Sequence, residues 1–406
     1  MPEATSRSHA ERLDDIDPLG DLRDRFTIGS DLVAYFDGNS LGRLPKATIE
    51  RLSQVLDREW GDRLIQAWTD GWMNLPTAVG DRLAADVLGG APGQTVVADS
   101  TSVNLFKVLH AACGLRPDRS EIVIDDANFP TDRYLVESVA EQRGLTVRWL
   151  AIEPPEGVTA ERLAPAIGPA TAAVVVCHVD YRSGALADLA GLTRLIHSAG
   201  AIAVWDLSHS AGAVPIGLDA ADADFAVGCT YKYLNAGPGA PAFLYVASRH
   251  LSEVRQPIAG WFGAEDIFAM GPAYEPAKGI RRMLSGTPNV LGLVAVDEGV
   301  RLIAEAGIDR IRTKSVALTD LVTDLADAWL TPHGAELASP READRRGSHV
   351  TVRHPKAATI TDRLLARGVI PDFRNPDLIR LGLSPLTTSY AEAWDGLDAL
   401  RGIIAR

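Results

Sequence analysis

Cysteine is nearly missing from this 406-residue chain, which has three: Cys113, Cys177 and Cys229. Three thiols cannot make a disulfide framework, and without a Cys-x-x-Cys pair or a Cys/His cluster they mark no metal site. A reducing compartment suits such usage. Lysine is almost as scarce, with six among the 40 basic residues. Positive charge as a whole is outweighed by 53 Asp and Glu, giving a formal net charge of -13. A surface of that sign repels nucleic acid and anionic membranes, so neither is an expected partner. A small anionic ligand would then need a locally positive pocket. No apolar run approaches the roughly 18 residues that span a bilayer. The opening MPEATSRSHAERLDDIDPLG is polar and holds no signal-peptide core. The expected location is the cytoplasm.

What is present is ordinary for a globular chain: 46% hydrophobic and 23% charged residues. The length favours two domains over one core. Short apolar, β-branched runs recur at 121–125, 172–177, 201–206, 225–228 and 243–246. Segments with helical spacing, such as 131–143 and 189–199, lie between most of them. Strands alternating with helices predict an α/β domain on a mostly parallel sheet. The gaps between 225 and 246 leave no room for a helix, so one antiparallel step is expected there. From about 290 the pattern changes to long helical runs (290–304 and 308–328), a strand near 348–352 and a final helix. The expected division is an N-terminal segment 1–45 packing with the small domain, a large domain 46–289, and a smaller α+β domain 290–406.

Of the lysines, Lys46, Lys107, Lys278, Lys314 and Lys356 have helical or turn-like surroundings and read as solvated surface groups. Lys232 alone follows an apolar strand, stands between Tyr231 and Tyr233, and runs into Gly237-Pro-Gly239. Burial disfavours an ammonium, and an imine-forming lysine has to present a neutral amine. The bland alternative is a stem snorkelling at a strand end. Asp206 closes the strand Ala-Ile-Ala-Val-Trp. Ligands of open α/β sheets bind outside the carboxyl ends of strands, so Asp206 and Lys232 would face one crevice. There a carboxylate suits a protonated ring nitrogen, although it would equally cap the next helix. His209 follows in Asp206-Leu-Ser-His-Ser-Ala-Gly212, either near that ring or as a half-buried histidine. Asp99-Ser-Thr-Ser-Val-Asn104 opens an apolar helix. Its hydroxyls serve as ordinary caps or, with free N–H groups, as a phosphate cradle. Phe129 reads either as a platform for a flat ring or as core.

Taken together, these stretches resemble one family, the kynureninases. The resemblance rests on Phe36-Asp-Gly-Asn-Ser-Leu-Gly42, Ser102-Val-Asn-Leu105, Asn128-Phe-Pro-Thr-Asp132 and His178-Val-Asp-Tyr-Arg-Ser-Gly184. It continues through Trp205-Asp-Leu-Ser-His-Ser-Ala-Gly-Ala-Val-Pro215, residues 229–239, Gly260-Trp-Phe-Gly263 and Gly286-Thr-Pro288. It runs from about residue 30 to the C-terminus and is nearest to the bacterial members. It implies the aspartate-aminotransferase fold of pyridoxal 5'-phosphate (PLP) enzymes, with a mostly parallel seven-stranded sheet in the large domain. It also implies a homodimer with active sites at the subunit interface.

By the same resemblance Lys232 would be the Schiff-base lysine and proton shuttle, and Asp206 the partner of the pyridine nitrogen, with His209 beside it. Phe129 would stack on the ring, and Asp132 and Cys177 would lie near it. Thr101, Ser102 and Tyr231 would bind the phosphate, joined by Trp261 and Thr287 of the other subunit. Arg380, in Ile379-Arg-Leu-Gly-Leu-Ser-Pro385, would grip the substrate carboxylate, a task that suits a guanidinium. Tyr231 would also move protons at the substrate carbonyl or β-carbon. The implied reaction is hydrolysis of L-kynurenine, and of 3-hydroxykynurenine with it, to anthranilate or 3-hydroxyanthranilate and L-alanine in tryptophan catabolism. Two rivals lack support. A cysteine desulfurase needs a nucleophilic cysteine well after the lysine, and the last cysteine here is Cys229. A regulator that keeps the fold without turnover would have lost Lys232, Asp206 or Arg380, or gained a nucleic-acid module. One departure stands out: Ala264 follows Gly263 where many relatives have histidine.

Overall fold

β-Branched strands covered on both faces build the centre of the molecule. The structure, a computed structural model, describes residues 3–153, 155–269 and 271–405; the outermost ends of the expected N- and C-terminal units, Met1, Pro2 and Arg406, lie outside these. Seven strands form one sheet in the order Thr95–Val97, Phe243–Val246, Phe225–Gly228, Ile202–Asp206, Thr171–Cys177, Glu121–Asp125, Thr146–Leu150. The five from Phe225–Gly228 to Thr146–Leu150 run parallel, and Phe243–Val246 is antiparallel to both of its neighbours. Helices on both faces explain why the inner strands read as unbroken apolar runs rather than alternating ones. The expected antiparallel step falls between Phe225–Gly228 and Phe243–Val246. Two strands had escaped the pattern. Thr95–Val97 is only three residues long, and Thr146–Leu150 is a mostly exposed edge with no apolar run.

Parallel register lines up strand ends. Cys177 pairs with Asp206 across the sheet, and Asp125 ends the next strand but one. The loop 229–242 therefore leaves Phe225–Gly228 on the same side as these three ends, which places Lys232 above them.

A second, four-stranded sheet orders Asp372–Arg374, Leu378–Gly382, His349–Arg353 and Glu336–Leu337, all antiparallel. Its core begins at Leu318 and takes in Ala10, Ala34 and Phe36 of the N-terminal segment. The strand Ala34–Tyr35 pairs with Val369–Ile370. The helix Val290–Ala306, by contrast, sends Leu293, Val296, Val300 and Ile303 into the large core, as do Leu19 and Phe26. A small unit counted from residue 290 thus shares its first helix with the large one.

The reading of five lysines as solvated groups fails for two. Lys107 is fully buried against Asp99, and Lys314 is buried with its Nζ 2.6 Å from Asp17 Oδ2. Helical spacing showed each on its helix but not the carboxylate waiting for it, which comes from a loop.

Two glycines pin the Lys232 loop by close approach. Gly42 donates its N–H to Tyr231 O at 2.7 Å, and a Cβ there would lie 2.3 Å from Lys232 O. A Cβ on Gly299 would meet Leu234 O at 1.9 Å. Gly42→Ala and Gly299→Ala should each cost about 1–3 kcal/mol through overpacking. Thermal unfolding checks this, and a wild-type Tm in both would refute the close packing.

Candidate active site

The left-handed Asn235 (φ 55°) closes a tight turn in which its N–H donates to Lys232 O and Ala236 N–H donates to Thr230 O. Tyr233 anchors the turn by donating its hydroxyl to Ser348 O. Lys232 is thereby turned inward and is 9% exposed, with its Nζ 3.2 Å from His209 Nε2. The rings of Phe129 and Tyr231 each have their centroid 6.0 Å from that Nζ. His209 is held neutral: burial first, then the Lys232 and Arg380 charges, push its imidazole well below the ordinary range.

Below the lysine the strand ends form an acidic floor. Asp206 accepts Ser208 N–H at 2.8 Å and the Cys177 thiol at 3.7 Å. Asn128 accepts the same thiol at 3.1 Å and donates to Asp125 Oδ2 at 2.8 Å. Facing atoms of Asp132, Cys177 and Asp206 all lie within 4.8 Å of one another. Asp132 is buried, and its Oδ2 has no hydrogen-bond partner among the described residues. Burial, and then the neighbouring Asp206 charge, raises the Asp132 carboxyl well above its ordinary range. Burial and the same acids raise the Cys177 thiol.

At one end of this floor a cleft of about 420 Å³ is lined by Asp99, Ser100, Thr101, Ser102, Tyr231 and Thr287 among others. Ser100 caps the helix Thr101–Gly114, so the first N–H groups of that helix open into the cleft with no partner inside the helix. Burial raises the Tyr231 phenol, followed by the neighbouring Cys229, so it stays protonated and able to donate. Thr287 reaches the cleft from its own chain, whereas the resemblance brings it from a second subunit. Trp261 is not among the lining residues. It lies 38% exposed, edge-on to Phe262, and Ala264 pairs with Pro276 beside it.

At the other end Arg380 is buried, and both of its terminal nitrogens are engaged. One donates to Tyr181 O at 2.7 Å; the other meets Ser40 Oγ at 2.8 Å and Asp372 Oδ2 at 2.6 Å. Arg374 shares Asp372 at 2.7 Å and lies over the Tyr181 ring, which meets Phe129 edge-on at 5.3 Å. His349 is fully buried 5.8 Å from the His209 ring, with neither nitrogen partnered among the described residues.

The structure therefore places Thr101, Ser102, Tyr231 and Thr287 in the lining of one cleft, and leaves Trp261 outside that lining. It sets Lys232 beside Tyr231, Phe129 and His209, brings His209 to Arg380, and gathers Asp206, Asp132 and Cys177 at the strand ends. Sequence reading had passed over Asp125, Asn128, Tyr181, His349, Ser40 and Asp372. Asp125 closes an apolar strand as Asp206 does, so the same signal would have found it. His349 and Asp372 carried none, because they arrive from the second sheet.

Burial pushes the Asp125 carboxyl up to about 7 against the pull of the Asn128 amide. The unfolded chain releases that proton near pH 4, so the folded state holds an extra proton between about pH 4 and pH 7. The associated stability is fully present below that window and is lost as pH rises through it. Relative to wild type, the apparent Tm of Asp125→Asn should gain between about pH 5 and about pH 8. A difference that does not change with pH would show an ordinary carboxylate.

Comparison with known proteins agrees with the geometry. Residues 311–400 match the family model of the kynureninase C-terminal domain. A kynureninase of Pseudomonas fluorescens is 43% identical over 409 residues, covering 99% of this chain and 96% of its own length. That of Burkholderia pseudomallei (strain 1106a) is 41% identical over 404 residues, covering 98% and 95%. Among solved structures, the apo cysteine desulfurase of Thermococcus onnurineus NA1 superposes with a TM-score of 0.80 at 20% identity, covering 95% of this chain and 98% of its own. A C-DES variant with glycine covalently linked to its PLP cofactor gives a TM-score of 0.80 at 18% identity, covering 94% and 98%. These last two share the fold alone. With relatives above 40% identity along almost its entire length, this chain belongs to the kynureninase family.

Proposed function

We propose that the protein uses PLP to hydrolyse the Cβ–Cγ bond of L-kynurenine, and of 3-hydroxykynurenine with it, releasing anthranilate or 3-hydroxyanthranilate and L-alanine in tryptophan catabolism. The observation that carries this reading is the convergence on one buried lysine. Lys232 stands over an acidic floor, with a helix start at one end of the cleft and a buried arginine at the other. The cofactor fits what is left unpartnered. Among the described residues Asp132 Oδ2 lacks a hydrogen-bond partner, and the two facing acids would accommodate a positive group beside them. A protonated ring nitrogen supplies that charge, and the first turn from Thr101 together with Ser102 and Tyr231 suits a phosphate.

When bound, PLP supplies an electron sink for the charge left at the substrate Cα. The chain's residues do the rest. Lys232 would hold the cofactor and, as an amine, would move the proton at the substrate Cα. Asp206, supported by Cys177 and Ser208, would hold a proton on the ring nitrogen. Neutral His209 keeps a second cation away from Lys232. Phe129 supplies the stacking face, and Tyr181 packs against its edge. Arg380, already oriented by Ser40, Asp372 and the Tyr181 carbonyl, takes the substrate carboxylate. Tyr231, protonated, is placed to donate at the γ-carbonyl while water adds.

A homodimer in the cytoplasm completes the reading. Trp60, Leu64 and Ile65 on one segment, and Trp261 and Phe268 on another, are exposed apolar side chains that a second subunit would cover. In the dimer Trp261 would serve the partner's phosphate, whereas Thr287 lines the cleft of its own chain. Among the described residues no helix is long and apolar enough to cross a membrane.

Purified protein mixed with each substrate should give anthranilate-type fluorescence; no product from either would overturn the assignment. Lys232→Ala should lower kcat by about 10²–10⁴-fold, the usual worth of a positioned proton carrier. Arg380→Met should raise KM about 10–100-fold through lost charge-assisted hydrogen bonds. Sedimentation should give twice the 43.4 kDa of one chain, and a persistent single-chain mass would remove the dimer.

A further inference from the structure

Lys107 has no part in the chemistry above, yet it is the lysine buried most completely. It sits in the second turn of the helix Thr101–Gly114. Helical side chains lean toward the N-terminus, so its stem runs back beneath the first turn. Its Nζ lies 2.6 Å from Asp99 Oδ2 and 2.8 Å from Met283 O. Asp99 is a wall residue of the cleft that Thr101, Ser102 and Tyr231 line, and its φ of 51° is left-handed. Met283 leads directly into Leu284, Ser285, Gly286 and Thr287 on the facing wall. One ammonium therefore ties the two walls together.

The placement of Asp99 is otherwise costly. A carboxylate in the wall of an anion cleft repels the anion, and a left-handed non-glycine residue is strained. The Asp99 side chain is 29% exposed while Lys107 is wholly covered, so the pair is poorly screened on the lysine side. Removing one partner of such a pair leaves the other uncompensated, whereas removing both is commonly tolerated.

We infer that Lys107 is a positioning residue for the cofactor's phosphate: it is the buried counter-charge that lets Asp99 stand in the wall of an anion cleft, and it holds the 283–287 wall at its spacing. The inference rests on PLP being the cofactor.

The test titrates the apoprotein with PLP and with pyridoxal, which lacks the phosphate, following the yellow absorbance each acquires on Lys232. Lys107→Met and the hydrogen-bonding Lys107→Gln should each weaken PLP about tenfold or more, the worth of one charge-assisted interaction. Pyridoxal affinity should not change. Either variant suffices if the other fails to fold. Adding Asp99→Asn to Lys107→Met should restore most of the PLP preference, which a purely structural role would not do. Unchanged PLP-to-pyridoxal ratios, an equal loss of both aldehydes, or no recovery in the double variant would each overturn the inference. A wild-type protein that takes up neither aldehyde would instead sink the cofactor assignment beneath it.

Discussion

Keeping a lysine amine dry above a row of acidic strand ends is the constraint on which the rest of the structure depends. The loop that carries Lys232 has no helix or strand of its own to hold it. It is held by a left-handed Asn235, by Tyr233 bonded to the second sheet, and by backbone pressed against Gly42 and Gly299. Those two glycines lie far from the loop in sequence, one on either side of it, so the N-terminal segment and the helix Val290–Ala306 are both fitted to this loop. Gly42 ends the motif that begins at Phe36, and Ser40 of that motif supports Arg380. One short stretch thus braces both the lysine and the arginine.

Charge is placed around the cleft in partnered sets, with one exception. Lys107 answers Asp99, and Arg380 with Arg374 answers Asp372. His209 and His349 are buried neutral, so they add no charge beside Lys232. The exception is the floor, where Asp132 and Asp206 lie close together beside a raised thiol. An uncompensated buried carboxylate either takes up a proton or awaits a cation. That imbalance at the strand ends suits a cationic ring, while the helix start at the far end suits its anion. The two poles of the cleft match the two charges of the proposed cofactor.

Much of this was legible from residues alone. Apolar runs closed by Asp206 and followed by Lys232 are local features, and strand ends in a parallel sheet share one side, so the pattern itself puts the pair together. The helix start at Thr101 was equally local. Lys107 and Lys314 were misread because burial of a charge depends on a partner that helical spacing does not reveal. Asp372, Tyr181 and His349 were missed for a related reason: each acts on a residue far away in sequence, across the seam between the two sheets.

The fold class, the Lys232 loop and the family can be read from the order of residues, because these follow from periodicity, from residue scarcity and from contiguous motifs. Only the tertiary structure decided which groups share a dry cleft. Burial, and with it the protonation of Asp125, Asp132, His209 and Tyr231, is set by what packs on top of a side chain rather than by its neighbours in the chain. It was also the tertiary structure that put Thr287 beside Thr101 and the Met283 carbonyl on the Lys107 ammonium, since both meetings join segments nearly two hundred residues apart.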